Sequence, residues 1–105
     1  MANAYRGEVE ITLNGEAQVM RLTFGALVAL EEAVGPVLAL VERLEAGQAT
    51  AKDILSVIFA GLRGAGWTGD LSDLRQAEFG GGYLAAIQVA GDLLRKGFGI
   101  DDRNT

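Results

Sequence analysis

From Glu8 to Leu13 the chain alternates acidic or hydroxyl side chains with branched apolar ones, and a second strand-like run follows over 16–22. A period of two marks strands with one buried face. Between the runs, Asn14-Gly15 supplies the two positive-φ residues of a type I′ turn, so the pattern predicts a β-hairpin. The turn also sets the register: Leu13 faces Glu16, Val9 faces Met20 and Glu8 faces Arg21, with Val9, Ile11 and Leu13 sharing one face. Glu16 and Gln18 make that face polar toward the tip, so packing is expected at the base and water at the tip. Two strands alone are marginal in water, and the hairpin must lean on helices or on another chain.

After Leu22 the period lengthens. Thr23 caps a helix over 24–34 that sets Phe24, Leu27, Val28 and Val34 on one side and Glu31 and Glu32 outward, with Gly35 as terminator. Pro36 suits the first turn of a second helix, in which Val37, Leu40, Val41 and Leu44 recur up to Gly47. Thr50 and Asp53 have capping-box spacing and open a third helix bearing Ile54, Leu55, Val57, Ile58, Phe59 and Leu62. Such a helix, apolar nearly all round, is either central to a core or covered by a partner.

Gly64-Ala65-Gly66-Trp67-Thr68-Gly69 breaks the pattern, and Ser72 then predicts a short helix over 73–79 stopped by Gly80-Gly81-Gly82. A last helix over 83–96 carries Leu84, Ile87 and Leu94, with Val89 and Leu93 on other sides and Arg95 and Lys96 at its negative end. The tail 98–105 is polar apart from Phe98 and Ile100 and is expected to be flexible. The expected fold is α+β and mainly α: a hairpin over 8–22, then a bundle of four to five short helices over 24–96, in a single domain spanning 1–105.

Composition narrows the chemistry. The 105 residues include no histidine and no cysteine, which removes the ordinary general base, the thiol nucleophile and the usual zinc ligands. A net charge of −5 with scattered cations repels phosphate backbones, so nucleic acid is not an expected ligand. Apolar runs such as 33–41 and 54–62 stop short of a bilayer span. With no leader pattern at the start, a cytoplasmic protein that does not cross a membrane is expected.

Each candidate motif loses to a plainer reading. Gly64-x-Gly66-x-x-Gly69 has the letters of a dinucleotide fingerprint, but a helix rather than a strand precedes it, and Trp67 and Asp70 would crowd and repel phosphates. Asp70 with Asp73, and Asp101 with Asp102, lack the ligand spacing of a calcium loop. Glu31, Glu32, Glu42 and Glu45 sit where amphipathic helices meet water. Lys52 and Ser56 lie four apart, as in a serine–lysine hydrolase, with nothing to suggest an oxyanion hole. No enzyme, cofactor or metal site is expected.

What rises above this background is apolar helix surface: Leu55, Phe59 and Leu62 on the third helix, Val89 and Leu93 on the last, and Trp67 in the loop. Contiguous patches of this kind usually mark an interaction site. These six residues are the candidate partner-binding set, against the alternative that all are core.

The order of parts carries a likeness. Arg6-Gly7-Glu8-Val9, then Thr23-Phe24-Gly25-Ala26-Leu27-Val28-Ala29-Leu30-Glu31 ending at Gly35, then Gly61-Leu62-Arg63-Gly64-Ala65-Gly66 resemble small proteins encoded among the tail genes of phages and gene transfer agents. Members of that family are described as tail assembly chaperones or, by an older label, as tail tube proteins. The resemblance implies a non-enzymatic chaperone that binds the tape measure protein, the tail tube protein or both, with homo-oligomers possible. The alternative is a minor structural component of the tail tube or neck. A tube subunit of the usual kind lines its channel with many strands, and this sequence offers one hairpin.

Overall fold

The computed structural model describes residues 7–99. Strands β1 (Glu8–Leu13) and β2 (Glu16–Arg21) form a two-stranded antiparallel sheet, followed by helices α1 (Phe24–Val34), α2 (Val37–Glu45), α3 (Ala51–Gly64), α4 (Leu71–Arg75) and α5 (Gly82–Gly97). The fold is thus α+β and mainly α, as the periodicities predict. The tail beyond Gly99 lies outside the described residues.

The hairpin has the register that its turn dictates. Leu13 pairs with Glu16, Val9 with Met20 and Glu8 with Arg21, around Asn14 at φ 52° and Gly15 at φ 82°. Asn14, Gly15 and Glu16 at the tip are exposed, as expected, but the β1 side of the tip is also paired. The chain at 78–80 crosses it: the Asn14 N–H donates to the Glu78 carbonyl at 2.9 Å, and the Gly80 N–H to the Thr12 carbonyl at 2.9 Å. Asn14 Oδ1 accepts from the Glu78 N–H at 2.9 Å. Phe79 bridges Leu13, which is buried. No local pattern foretells this cover, because its two halves lie 64 residues apart in sequence.

Thr23 Oγ1 accepts from the Ala26 N–H at 3.1 Å and starts α1, and Gly35 at φ 88° ends it. Glu31 then does more than meet water: its carboxylate accepts from the Val37 N–H at 3.1 Å, satisfying one of the orphan donors of α2 beside Pro36. The Thr50–Asp53 capping box opens α3 as expected. At α4 the expectation over 73–79 fails. The cap is Asp70, boxed with Asp73, not Ser72, and the helix ends at Arg75. An aspartate at the N-cap outcompetes a serine two residues on because Asp73 can close the box with it.

Helix α3 occupies the centre, packed against β2, α1 and α5, and its glycines permit this. A Cβ on Gly61 would lie 2.4 Å from Leu93 Cδ2 and 3.0 Å from Met20 Cβ, so both neighbours press onto its bare backbone. Val57, Ile58, Leu62, Met20 and Leu93 are fully enclosed around that contact. Among the described residues, no single helix is long and apolar enough to cross a membrane.

Candidate functional site

The six candidate partner-binding residues divide. Leu62 and Leu93 have 0% exposure and belong to the core, which corrects their assignment to a surface patch. The reason is topological: α3 is apolar all round because neighbours cover it on several sides, and Leu93 of α5 is one of the side chains that cover it. Leu55, Phe59, Trp67 and Val89 are half-buried against that core. Phe59 and Trp67 meet edge to face with centroids 6.4 Å apart, and the Arg63 guanidinium stands 5.9 Å over the Phe59 ring.

Larger apolar exposure lies where the sequence pattern placed core. Phe24 is 83% exposed and Val28 48%, although both share an expected apolar side with Leu27 and Val34. In α1 the buried positions are Ala26 and Leu30, four apart on a different stripe. The helix carries so many apolar side chains that periodicity does not single out its inner face. Leu38 on α2 and Leu84 on α5 are likewise exposed.

Of the six residues, only Phe59 lines the main concavity, an open groove of about 640 Å³ between α1 and α3. One wall is Gly25, Ala26, Ala29, Leu30 and Ala33 of α1; the other is Ser56, Phe59, Ala60, Arg63 and Gly64 of α3, with Leu71 at one end. The two helices run antiparallel. Gly64 touches Ala26, a Cβ on it lying 3.3 Å from Ala26 Cβ, and the groove continues to Ala33 and Ser56, each about two turns along its own helix. Gly64 also lets the end of α3 abut β2, since its Cβ would stand 2.0 Å from the Arg21 carbonyl oxygen.

The groove is open and lined mainly by carbon. Its α1 wall is mostly glycine and alanine, with Thr23 and Leu30 beside them, so another backbone can come close. These small residues were absent from the sequence-based set because a search for bulky apolar side chains passes over them; their spacing at 25, 29 and 33 was the available signal.

The polar groups elsewhere serve the fold. Asp53 is buried and accepts from Arg43 Nε at 3.1 Å and Nη2 at 2.9 Å, and from the Thr50 N–H at 3.0 Å. The Arg43 hydrogen bonds hold its carboxyl below the usual range, against desolvation, which acts the other way. Sequence spacing revealed the cap but not the arginine, which comes from α2. Ser56 sits in the groove wall and makes no hydrogen bond to Lys52 among the described residues. No group of three or more acidic residues there is arranged to hold a metal ion. The Gly64–Gly69 segment is a helix end: the Trp67 N–H returns to the Leu62 carbonyl at 2.9 Å.

Comparison with known proteins gives one family. A family model described as "Phage tail tube protein, GTA-gp10" matches residues 6–100. Searches of the curated proteins and of the solved structures return no match. The matched span contains the hairpin, the five helices and both walls of the groove, and the chain belongs to this phage and gene transfer agent tail family.

Proposed function

We propose that this protein is a non-enzymatic tail assembly chaperone, acting in the cytoplasm of the host cell, that holds a helical segment of the tape measure protein in the α1/α3 groove. The groove carries the reading. Its open, carbon-lined floor between two antiparallel helices has the form that receives an amphipathic helix. The mechanism is reversible burial without nucleotide: apolar faces of the tape measure lie against Phe59 and the alanine wall, and are surrendered to tube subunits that enclose them better. A net charge of −5 keeps the loaded complex soluble.

The family description favours a second reading, a structural component of the tube or neck. Against it stands the scarcity of strands: the described residues contain one two-stranded sheet, whereas a tube wall of the usual kind needs many strands per subunit.

Co-expression of the tape measure protein with and without this chain tests the chaperone. Soluble tape measure should rise with the chain present, and equal solubility in both would refute it. Purified particles separate the two readings: a chaperone is missing from them, and a structural component is present in many copies.

A further inference from the structure

Arg63 lines the groove, and helix spacing sets Lys52 and Glu32 just beyond its lining, so that opposite charge flanks the two walls. On α3, positions 52, 56, 59 and 63 follow one another at spacings of four, three and four, so Lys52, Ser56, Phe59 and Arg63 form a single stripe. On α1, Glu32 follows Ala29 by three and flanks the opposite lip. Both Lys52 and Arg63 are exposed. Neither has a carboxylate partner among the described residues; Arg43 and Arg95, by contrast, pair with Asp53 and Asp92. Among the described residues, Arg63 reaches the Phe59 ring and, at 3.4 Å, the Gly69 carbonyl.

The two cations bracket the apolar stretch of the α3 lip. They are eleven residues apart, which at 1.5 Å per residue is about 16 Å, or three turns. We propose that the groove selects a helix whose seam is small and apolar and whose α3-facing flank carries two carboxylates about three turns apart, one for Lys52 and one for Arg63. This deepens the docking reading given above and rests on it.

A second copy of this chain does not meet the specification. Within its described helices the carboxylates are adjacent in α1 (Glu31, Glu32), three apart in α2 (Glu42, Glu45) and single in α3, α4 and α5. The partner that fits is a foreign helix with acidic residues spaced across three turns.

The test uses the full-length protein and labelled alanine–leucine helical peptides, with binding read by fluorescence anisotropy at low salt. One peptide carries two glutamates eleven residues apart, a second carries them one turn apart, and a third has lysines in the wider spacing. The first should bind at least about five-fold more tightly than the lysine peptide, the gain expected from two exposed ion pairs, and about two-fold more tightly than the one-turn peptide, which can make one of them; the preference should fade with salt. Combined Lys52→Glu and Arg63→Glu substitutions should transfer the preference to the lysine peptide. Equal binding of all three peptides, an unchanged order in the double variant, or no binding at all overturns the charge specification. Ala29→Phe, which fills the groove from an exposed position, separates the two levels. If it leaves peptide binding or tape-measure solubilisation intact, the groove is not the docking site and the parent reading fails. If it abolishes solubilisation while the charge reversals do not, only the charge specification fails.

Discussion

Substituting Gly64 by alanine probes the junction on which both the core and the groove depend. The added Cβ would stand 2.0 Å from the Arg21 carbonyl oxygen and 3.3 Å from Ala26 Cβ. Ordinary carbon–oxygen contact begins near 3.3 Å, so α3 and the end of β2 must separate by about 1.3 Å. The obstacle is backbone, which cannot rotate aside, and overpacking of this kind costs about 1–3 kcal/mol. The better helix propensity of alanine returns at most about 1 kcal/mol; with the overpacking cost at the top of its range, as an immovable backbone obstacle requires, a net loss of about 2 kcal/mol is expected. For a chain of this size that is a fall in Tm on the order of 10 °C.

Gly25→Ala is the matched control. Its Cβ meets nothing within 4 Å, and it should stabilise by about 0.5–1 kcal/mol. Urea titration of both variants, followed by far-UV circular dichroism with m held constant, reads the difference. A Gly64→Ala protein as stable as the parent would mean that α3 does not press against β2, and the position of the groove would fall with that contact.

Four further predictions rest on named contacts. Asp53→Ala should cost about 1–2 kcal/mol through loss of the cap and the Arg43 bonds. Because the folded carboxyl titrates below its ordinary value, its contribution is complete above the unfolded pKa of about 3.9 and is lost as pH falls through the folded value. The stability gap between parent and variant, measured by urea titration, should therefore narrow below about pH 4. Phe59→Asp, at a half-buried groove position, should abolish tape-measure solubilisation while leaving the circular dichroism spectrum intact. Leu62→Asp, at a fully enclosed one, should unfold the chain. Ser56→Ala should leave solubilisation unchanged, and a loss would revive a role for that hydroxyl.

How much was legible from sequence depended on the range of the interaction. The hairpin register was readable because Asn14-Gly15 admits one turn geometry and a period of two does the rest. The capping box of α3 was readable because its partners lie three residues apart. The Asp53–Arg43 pair, the Glu31 bond to the start of α2 and the 78–80 segment over the hairpin tip were not, since each joins elements whose relative placement no local pattern encodes. The start of α4 was legible in the same way as the α3 box and is a misreading of the residues: Asp70 and Asp73 stand three apart, like Thr50 and Asp53, and choosing Ser72 as the cap passes over that spacing.

The docking surface shows the same division. Bulk and hydrophobicity point to Leu62 and Leu93 as strongly as to Phe59, yet a small domain must spend its largest apolar side chains on its own interior first. A surface that receives another helix needs the opposite property, low relief, so that two backbones can approach. Gly25, Ala29 and Ala33 provide it on α1, and Ala60 continues it on α3. Hydropathy ranks these residues low and helix propensity treats all but the glycine as filler, so their joint meaning emerges only when α1 and α3 are laid antiparallel. What specifies a partner on such a floor is the rim, where Arg63 lines the α3 side, Lys52 continues its stripe, and helix spacing sets Glu32 beside the α1 wall. Affinity from the floor and orientation from the lips are separable, and that is why groove filling and charge reversal should give different phenotypes.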